Sequence, residues 1–329
     1  IEGEAKPVGF IEDAAVPLEY LPDYIDGILE FCESLDVQVI MYAHASVGLI
    51  HVRPVLDLKT GEGIKKMKQI ARRSFELVKQ YNGSISGEHG DGRNRSPFLE
   101  EFFGPAVYSA FREVTQLFDP SGIMNPGVIV DPEPVDANLR YGKEYRVPDM
   151  ETAYRFREEG SFARAVEMCT GVGVCRQNLS GLMCPSYRAT RDEEHSTRGR
   201  ANALRMTMSG QLGKTDFSDP RLFEIMDLCL SCKGCKSECP SNVDLAKLKS
   251  EYLQKYRETK GTSLRDRFVS RSTSMARFFS GWKAPLVNAV QRTLVFRKIL
   301  EWMAGIDSRR ILPSYAKANF HKWFSARKK

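Results

Sequence analysis

Seven of the eight cysteines in this 329-residue chain fall between positions 169 and 239, and four of them are spaced Cys229-x2-Cys232-x2-Cys235-x3-Cys239-Pro240. No other feature constrains the fold as strongly. Thiolates at steps of three that close on a Cys-Pro wrap an iron–sulfur cluster, the first three on one cluster and the Cys before Pro reaching to a second. A structural zinc site is the alternative, but zinc knuckles separate two CxxC pairs by a loop of about a dozen residues or more. Cysteines clustered this way argue for reduced thiols rather than a secreted disulfide framework.

The upstream cysteines read Cys169-x5-Cys175-x8-Cys184-Pro185, with Val172 where a second Cys would complete the same template. Crossed ligation then assigns Cys184 to Cys229, Cys232 and Cys235 as a complete 4Fe–4S set. Cys169, Cys175 and Cys239 form a second set, one thiolate short. Such a set holds a 3Fe–4S cluster, or a second 4Fe–4S cluster with a non-cysteine ligand. The Cys-x5-Cys spacing with an aliphatic residue in the gap resembles the 3Fe–4S half of succinate dehydrogenase iron–sulfur subunits, which favours the first option. His195 is the nearest replacement ligand; its plainer role is a helix-start residue hydrogen-bonded beside the cluster.

At this length, with 42% apolar and 27% charged residues, two or three modules are expected. Cys32, alone in Ile28-Leu29-Glu30-Phe31-Cys32, reads as a small buried hydrophobe. No signal peptide is visible, and no uninterrupted apolar run approaches the ~20 residues of a spanning helix. A cytoplasmic protein is expected. The chain begins Ile1-Glu2-Gly3 without Met, as an internal piece of something longer would. Residues 251–329 hold 18 Lys and Arg against 5 Asp and Glu, so the remainder is net acidic although the whole is +6. That basic end carries Trp282, Trp302 and Trp323 and an amphipathic run from Leu286 to Met303. It would dock on an absent domain of the same protein or, alternatively, lie peripherally on the inner face of a membrane. Charge alone permits nucleic-acid binding, but no recognition motif supports it and none is expected.

The first 130 residues read differently. Val37 to Ala43 and Leu49 to Leu56 have the pattern of buried strands. Between 61 and 81 a helix sets Ile64, Met67, Ile70, Ala71, Phe75 and Val78 on one face. Strands and helices are expected to alternate from there to the end of the module. His44 and His51 flank a short turn, and Glu88-His89 sits in the glycine-dense loop Gly83 to Gly92, where backbone can approach a ligand closely. Together His44, His51 and Glu88 have the composition of a catalytic divalent-metal site with open positions.

His44-x6-His51, Ser84-Ile85-Ser86-Gly87-Glu88-His89-Gly90-Asp91-Gly92 and Phe118-Asp119-Pro120-x4-Asn125-Pro126-Gly127 resemble the C-terminal cap domain of FAD-linked oxidases of the vanillyl-alcohol-oxidase superfamily. That group includes D-lactate, glycolate and D-2-hydroxyglutarate dehydrogenases. Cap plus cluster domain is similar to the large fused FAD/iron–sulfur dehydrogenases of bacteria. The resemblance implies that His44, His51 and Glu88 bind a divalent metal such as zinc or manganese, which grips the carboxylate and hydroxyl of a 2-hydroxy acid. It implies that His89 is the base removing the hydroxyl proton as hydride leaves for the flavin, and that Asn125 approaches the flavin ring. Arg53 and Arg95 are candidate substrate-carboxylate clamps, or else arginines that brace loops. The family pattern Gly-His-x-Gly-Asp-Gly-Asn is replaced here by Ala43-His44-Ala45-Ser46-Val47-Gly48-Leu49.

The expected architecture is an α+β cap domain of the FAD-linked oxidase C-terminal type (1–130) and a polar, Pro-bearing linker (131–150). An all-α helical ferredoxin domain with two cluster sites (151–256) follows, with a helix over 243–256, and then a basic helical tail (257–329). The FAD-binding domain before it and the cysteine-rich domain after it would be supplied by the rest of the protein. Electrons would leave through the clusters to a quinone or another carrier. The competing expectation is a non-catalytic electron-transfer subunit of the heterodisulfide-reductase or anaerobic glycerol-3-phosphate dehydrogenase type. A zinc-stabilised adaptor is a third.

Overall fold

The computed structural model describes residues 3–213, 216–318 and 320–327. It divides into two compact units: one of Ile1–Glu151, Arg155–Met168 and Met208–Leu212, the other of Thr152–Tyr154, Cys169–Thr207 and Gly213–Lys329.

The first unit is built on a small antiparallel sheet of β1 (Lys6–Pro7), β2 (Ala14–Ala15), β3 (Val39–His44) and β4 (Leu49–Leu56). β4 pairs with all three others, and in its hairpin with β3 Tyr42 stands opposite His51 and His44 opposite Leu49. Gly48 closes the hairpin at φ 69°, and a Cβ there would collide with the carbonyl of Val16. Helices α1 (Leu21–Ser34) and α2 (Gly61–Gln80) pack together, joined by Tyr24 Oη and Ser74 Oγ at 2.9 Å. Thr60 caps α2 by accepting from Gly63 N at 3.0 Å. Met67, Ile70, Ala71, Ser74, Phe75 and Val78 make its buried face, the 3.6-residue period that the sequence displays. Ile28, Ile50, Val52, Ile70 and Val78 are fully buried, each contributing about 1.5–3 kcal/mol. Cys32 is buried in α1, and burial pushes its thiol up to about 11.

Three expectations for this unit change. β3 is an edge strand rather than a buried one: Ile40 and Tyr42 are exposed, because only β4 covers it. After β4 the described residues carry helices, not alternating strands: α3 (Gly92–Arg95), α4 (Leu99–Phe103), α5 (Pro105–Phe118) and α6 (Phe162–Glu167). The aromatics of 98–111 recur at helical spacing and close on Phe75. The segment 131–150 has no helix or strand but packs within the unit, where Tyr145 is buried and donates to Glu167 Oε1 at 2.7 Å. Lys59 ties the same corner, donating to Glu4 and Glu167 at 2.6 Å each.

The described residues of the second unit contain helices and no strand. They are α7 (Pro185–Thr190), α8 (Thr197–Met208), α9 (Pro220–Asp227), α10 (Gly234–Glu238) and α11 (Leu245–Lys260), then α12 (Leu264–Ser270), α13 (Ser272–Phe279), α14 (Ala284–Arg292), α15 (Leu294–Ala304) and α16 (Phe320–Ser325). Met183, Leu204, Met226, Val243, Leu248 and Tyr252 are buried in this unit. The buried carboxylate of Glu251 accepts from Ala153 N and Tyr154 N at 3.0 Å each, which fixes the stray segment 152–154 to it. The amphipathic run of 286–303 is two helices, because Thr293 leaves α14 and caps α15 by accepting from Phe296 N. Among the described residues no helix is long and apolar enough to cross a membrane.

Candidate functional sites

In the first unit the hairpin and the loop after α2 bring four candidate side chains together. Glu88 Oε1 lies 3.7 Å from His44 Nε2, 3.4 Å from His51 Nε2 and 3.2 Å from His89 Nε2. The rings of His51 and His89 stack at 5.1 Å, and His44 meets His51 edge-on at 5.2 Å. Imidazole nitrogens around one carboxylate oxygen, with no Lys or Arg among them, are donors of the kind a divalent cation takes, although His44 lies outside the group whose donor atoms all fall within 4.8 Å of one another. His51 is buried and its Nδ1 has no partner among the described residues. The residues present therefore fit a metal.

Two acidic residues that sequence reasoning missed hold this group. Asp13, fully buried at φ 87°, accepts from Ser86 Oγ at 2.6 Å, Glu88 N at 3.0 Å and His89 N at 2.8 Å. Its own N–H and C=O bond to Ile50 O and Gly87 N, so the Glu88-His89 loop is pinned to β4. Burial alone would push the Asp13 carboxyl up, but the bonds from Ser86, His89 and Glu88 outweigh it and hold the group below its ordinary 3.8. One oxygen each of Asp13 and Glu88, with one nitrogen each of His51 and His89, lie within 4.8 Å of one another. Glu12 Oε1 stands 3.6 Å from His89 Nδ1, while Glu12 Oε2 accepts from Arg53 Nε at 2.6 Å. The available signal was an acidic pair inside an otherwise apolar stretch, Val8-Gly9-Phe10-Ile11 before it and Ala14-Ala15-Val16 after it.

The other candidates are placed less centrally. Arg53 also donates to Tyr42 Oη at 3.1 Å, and Tyr42 stacks on His51. Arg95 gives its Nη atoms to the carbonyls of Glu12 and Gly90, as a loop-bracing arginine does. Asn125 sits at φ 56° in an exposed turn that Asp119 shapes by accepting from Ile123 N and Met124 N. It shares no hydrogen bond with the His–Glu group among the described residues.

In the second unit the cysteines separate into two hollows. Cys184, Cys229, Cys232 and Cys235 line one, walled by Met183, Leu230, Leu245 and Ala246. Cys169, Cys175 and Cys239 line another, with Val172 on its wall. This is the crossed partition read from spacing. Thr197, at the start of α8, lines both hollows, so they are neighbours. Gly199 stands two residues on, and a Cβ there would strike the carbonyl of Glu193. His195 does not line the second hollow; its Nδ1 is 3.0 Å from Thr190 Oγ1 and its Nε2 is 3.3 Å from Glu194.

All eight cysteines are free thiols. Burial pushes Cys175 and Cys235 up, opposed by the Arg198 N–H in one case and the first amides of α11 in the other. Cys184 goes the other way. Burial raises it, but the Ser186 hydroxyl, the amides opening α7 and the Arg200 charge bring it below its ordinary value. Four thiolates converging on one hollow with inward-turned amides fit a 4Fe–4S cluster; the three-thiolate hollow is one cysteine short of the same set.

Comparison with known proteins agrees with this division. Residues 1–129 match the family described as FAD linked oxidases, C-terminal domain, and residues 165–243 match the 4Fe-4S dicluster domain. The chain is 31% identical over 309 residues to D-2-hydroxyglutarate dehydrogenase of Pseudomonas putida, an overlap of 82% of this chain and 30% of that protein. The enzyme of the same description from Escherichia coli is 30% identical over 311 residues, 84% of this chain and 30% of its own. D-lactate dehydrogenase of Archaeoglobus fulgidus is 36% identical over 130 residues, 39% of this chain and 28% of its own. The chain thus spans about a third of the length of the curated relatives it matches across most of its residues.

Proposed function

The chain carries the C-terminal domain of FAD-linked oxidases followed by a 4Fe-4S dicluster domain, and from that premise we propose that it is the substrate-closing and electron-relaying part of a D-2-hydroxy-acid dehydrogenase. The reaction takes a 2-hydroxy acid to the 2-oxo acid, releasing the hydroxyl proton and a hydride from C2. D-2-Hydroxyglutarate is the substrate to try first, because the relatives so described match across both domains, whereas the D-lactate relative matches only the first.

His44, His51 and Glu88 would hold a divalent metal such as zinc or manganese, with Asp13 behind them. When bound, the metal supplies Lewis acidity that makes the substrate hydroxyl easier to deprotonate, FAD supplies the hydride acceptor, and the clusters supply one-electron steps. His89 accepts the hydroxyl proton. His89 stands between two carboxylates, with Glu12 Oε1 3.6 Å from its Nδ1 and Glu88 Oε1 3.2 Å from its Nε2. Arg53 is fixed between Glu12 and Tyr42, where its free donors meet an anionic substrate. Cys184, Cys229, Cys232 and Cys235 would hold the 4Fe–4S cluster, and Cys169, Cys175 and Cys239 a 3Fe–4S cluster, with Thr197 between them. Asn125 would face the flavin, and a quinone or another carrier would take the electrons onward.

The observation that carries this reading is the convergence of three imidazole nitrogens on Glu88 Oε1, in a chain that also holds two cysteine hollows. A purely electron-transferring subunit would give His44, His51, Glu88 and His89 no task. In the full-length enzyme, His89→Ala should abolish flavin reduction by substrate while iron content stays at the wild-type level. Flavin reduction at the normal rate would remove His89 as the base.

A further inference from the structure

Two buried cations lie behind the wall of the four-cysteine hollow, which Lys233 also lines, and touch its cysteines Cys184 and Cys229; nothing in the reaction above uses them. Arg200, on α8, is fully buried. Its Nε donates to Ile225 O at 2.8 Å and its Nη1 to Ser186 Oγ at 3.0 Å and to the carbonyl of His195. Nη1 also lies 3.9 Å from Cys184 Sγ, and Nη2 is buried with no partner among the described residues. Lys249, on α11, is 8% exposed, and its Nζ donates to the carbonyls of Asp227 and Cys229 at 2.7 Å each. Every one of these partners is neutral or a cysteine. Neither cation forms an ion pair among the described residues.

A cation taken out of water without an anion is strongly disfavoured unless something supplies the missing charge. The three-cysteine hollow shows the ordinary remedy. Arg198, which donates through its backbone N–H to Cys175 Sγ, is paired with Glu193 at 2.7 and 3.0 Å, and Glu193 also meets Arg176 at 3.2 Å. At the four-cysteine hollow neither cation is ion-paired with a carboxylate among the described residues; Asp227 acts on Lys249 only through space. A cluster held by four thiolates is a net anion in both oxidation states and gains one further negative charge on reduction. It is therefore the counter-ion that Arg200 and Lys249 lack.

Resting on the cluster assignment above, we infer that Arg200 and Lys249 are the charge partners of the cluster held by Cys184, Cys229, Cys232 and Cys235, and that they raise its reduction potential. A fixed positive charge stabilises the reduced cluster more than the oxidised one, because the added electron increases the Coulomb attraction. Arg200 acts through Cys184, whose sulfur it approaches, and Lys249 through the backbone of Cys229. The step is a plain one-electron reduction: the electron comes from the reduced flavin of the same enzyme and no proton is transferred to the protein.

The test is an EPR redox titration, with iron and sulfide counts, on the chain purified anaerobically. Lys249→Met and Arg200→Gln remove charge; Lys249→Arg and Arg200→Lys keep it. The midpoint of the cubane signal should move negative in both neutral variants and stay near wild type in the charge-keeping ones, with the signal of the second cluster unmoved. Loss of iron in the neutral variants but not in the charge-keeping ones supports the same dependence on charge. A neutral variant that keeps its iron and its midpoint overturns the inference alone, as does equal loss of iron in all four variants, which points to shape rather than charge. A wild-type chain that takes up no iron overturns the cluster assignment itself.

Discussion

In the first unit the candidate site residues stand half in solvent: the side chains of His44, Glu88 and His89 are 57%, 46% and 41% exposed, and only His51, at 2%, is buried. In the second unit four of the seven clustered cysteines, Cys169, Cys175, Cys184 and Cys235, are buried, Cys229 and Cys239 are half-buried, and Cys232 alone is exposed. A substrate site must leave ligand positions open to a molecule that enters and leaves. An electron carrier need only be close to its neighbour, so the protein can wrap it on every side. The two units therefore respond differently to damage, and each should tolerate loss of the other's metal.

The largest effects test that independence directly. Cys184→Ala should empty the four-cysteine hollow and eliminate the reducible cubane signal, while a divalent metal still titrates into the histidine group by calorimetry; loss of both would make the units one cooperative device. His51→Ala is the converse. It removes a buried ligand and should abolish divalent-metal binding with the iron count unchanged.

Asp13→Asn probes the support rather than the ligands. With the carboxylate gone, the amides of Glu88 and His89 lose their ionic acceptor, at about 1–3 kcal/mol of local stability and about 10–100-fold in metal affinity. The pH dependence has the same origin. The folded Asp13 carboxyl lies below its unfolded value, so its contribution is present above about pH 4 and is lost only as pH falls through the lowered folded value. Metal binding measured against pH should keep the Asp13 contribution across the neutral range, and an Asn variant whose affinity equals wild type would dismiss it. The smallest change is Val172→Cys, which should convert the oxidised-state signal of the second cluster to a reducible cubane signal without disturbing the first. An unchanged spectrum would show that Val172 is not the vacant ligand position.

Much of the second unit is legible in its cysteine spacing, because a tight loop can wrap a cluster only when its thiolates recur at short fixed steps. The lining of the two hollows reproduces the partition that Cys184-Pro185 and Cys239-Pro240 suggest. Helix α2 is legible for the related reason that one face repeats at helical period. Asp13 was not, since it acts on residues more than 70 positions away, largely through backbone amides that leave no side-chain signature; nor was Glu12, whose carboxylate meets Arg53 and His89 far along the chain. Nor was the packing of 131–150, where Tyr145 and Glu167 meet through one hydrogen bond rather than through a periodic face. The break at Thr293 was visible only as a capping residue inside an amphipathic run. The edge position of β3 depends on which strands pair, which alternation does not encode.

The central claim is that one chain joins a divalent-metal site to an iron–sulfur relay. Metal analysis and EPR of the anaerobically purified chain test it most directly. The account predicts iron with matching sulfide, a cubane signal on reduction, a separate three-iron signal in the oxidised state, and a divalent metal that is lost on His51→Ala. A colourless protein holding zinc at its cysteines and no iron would contradict it.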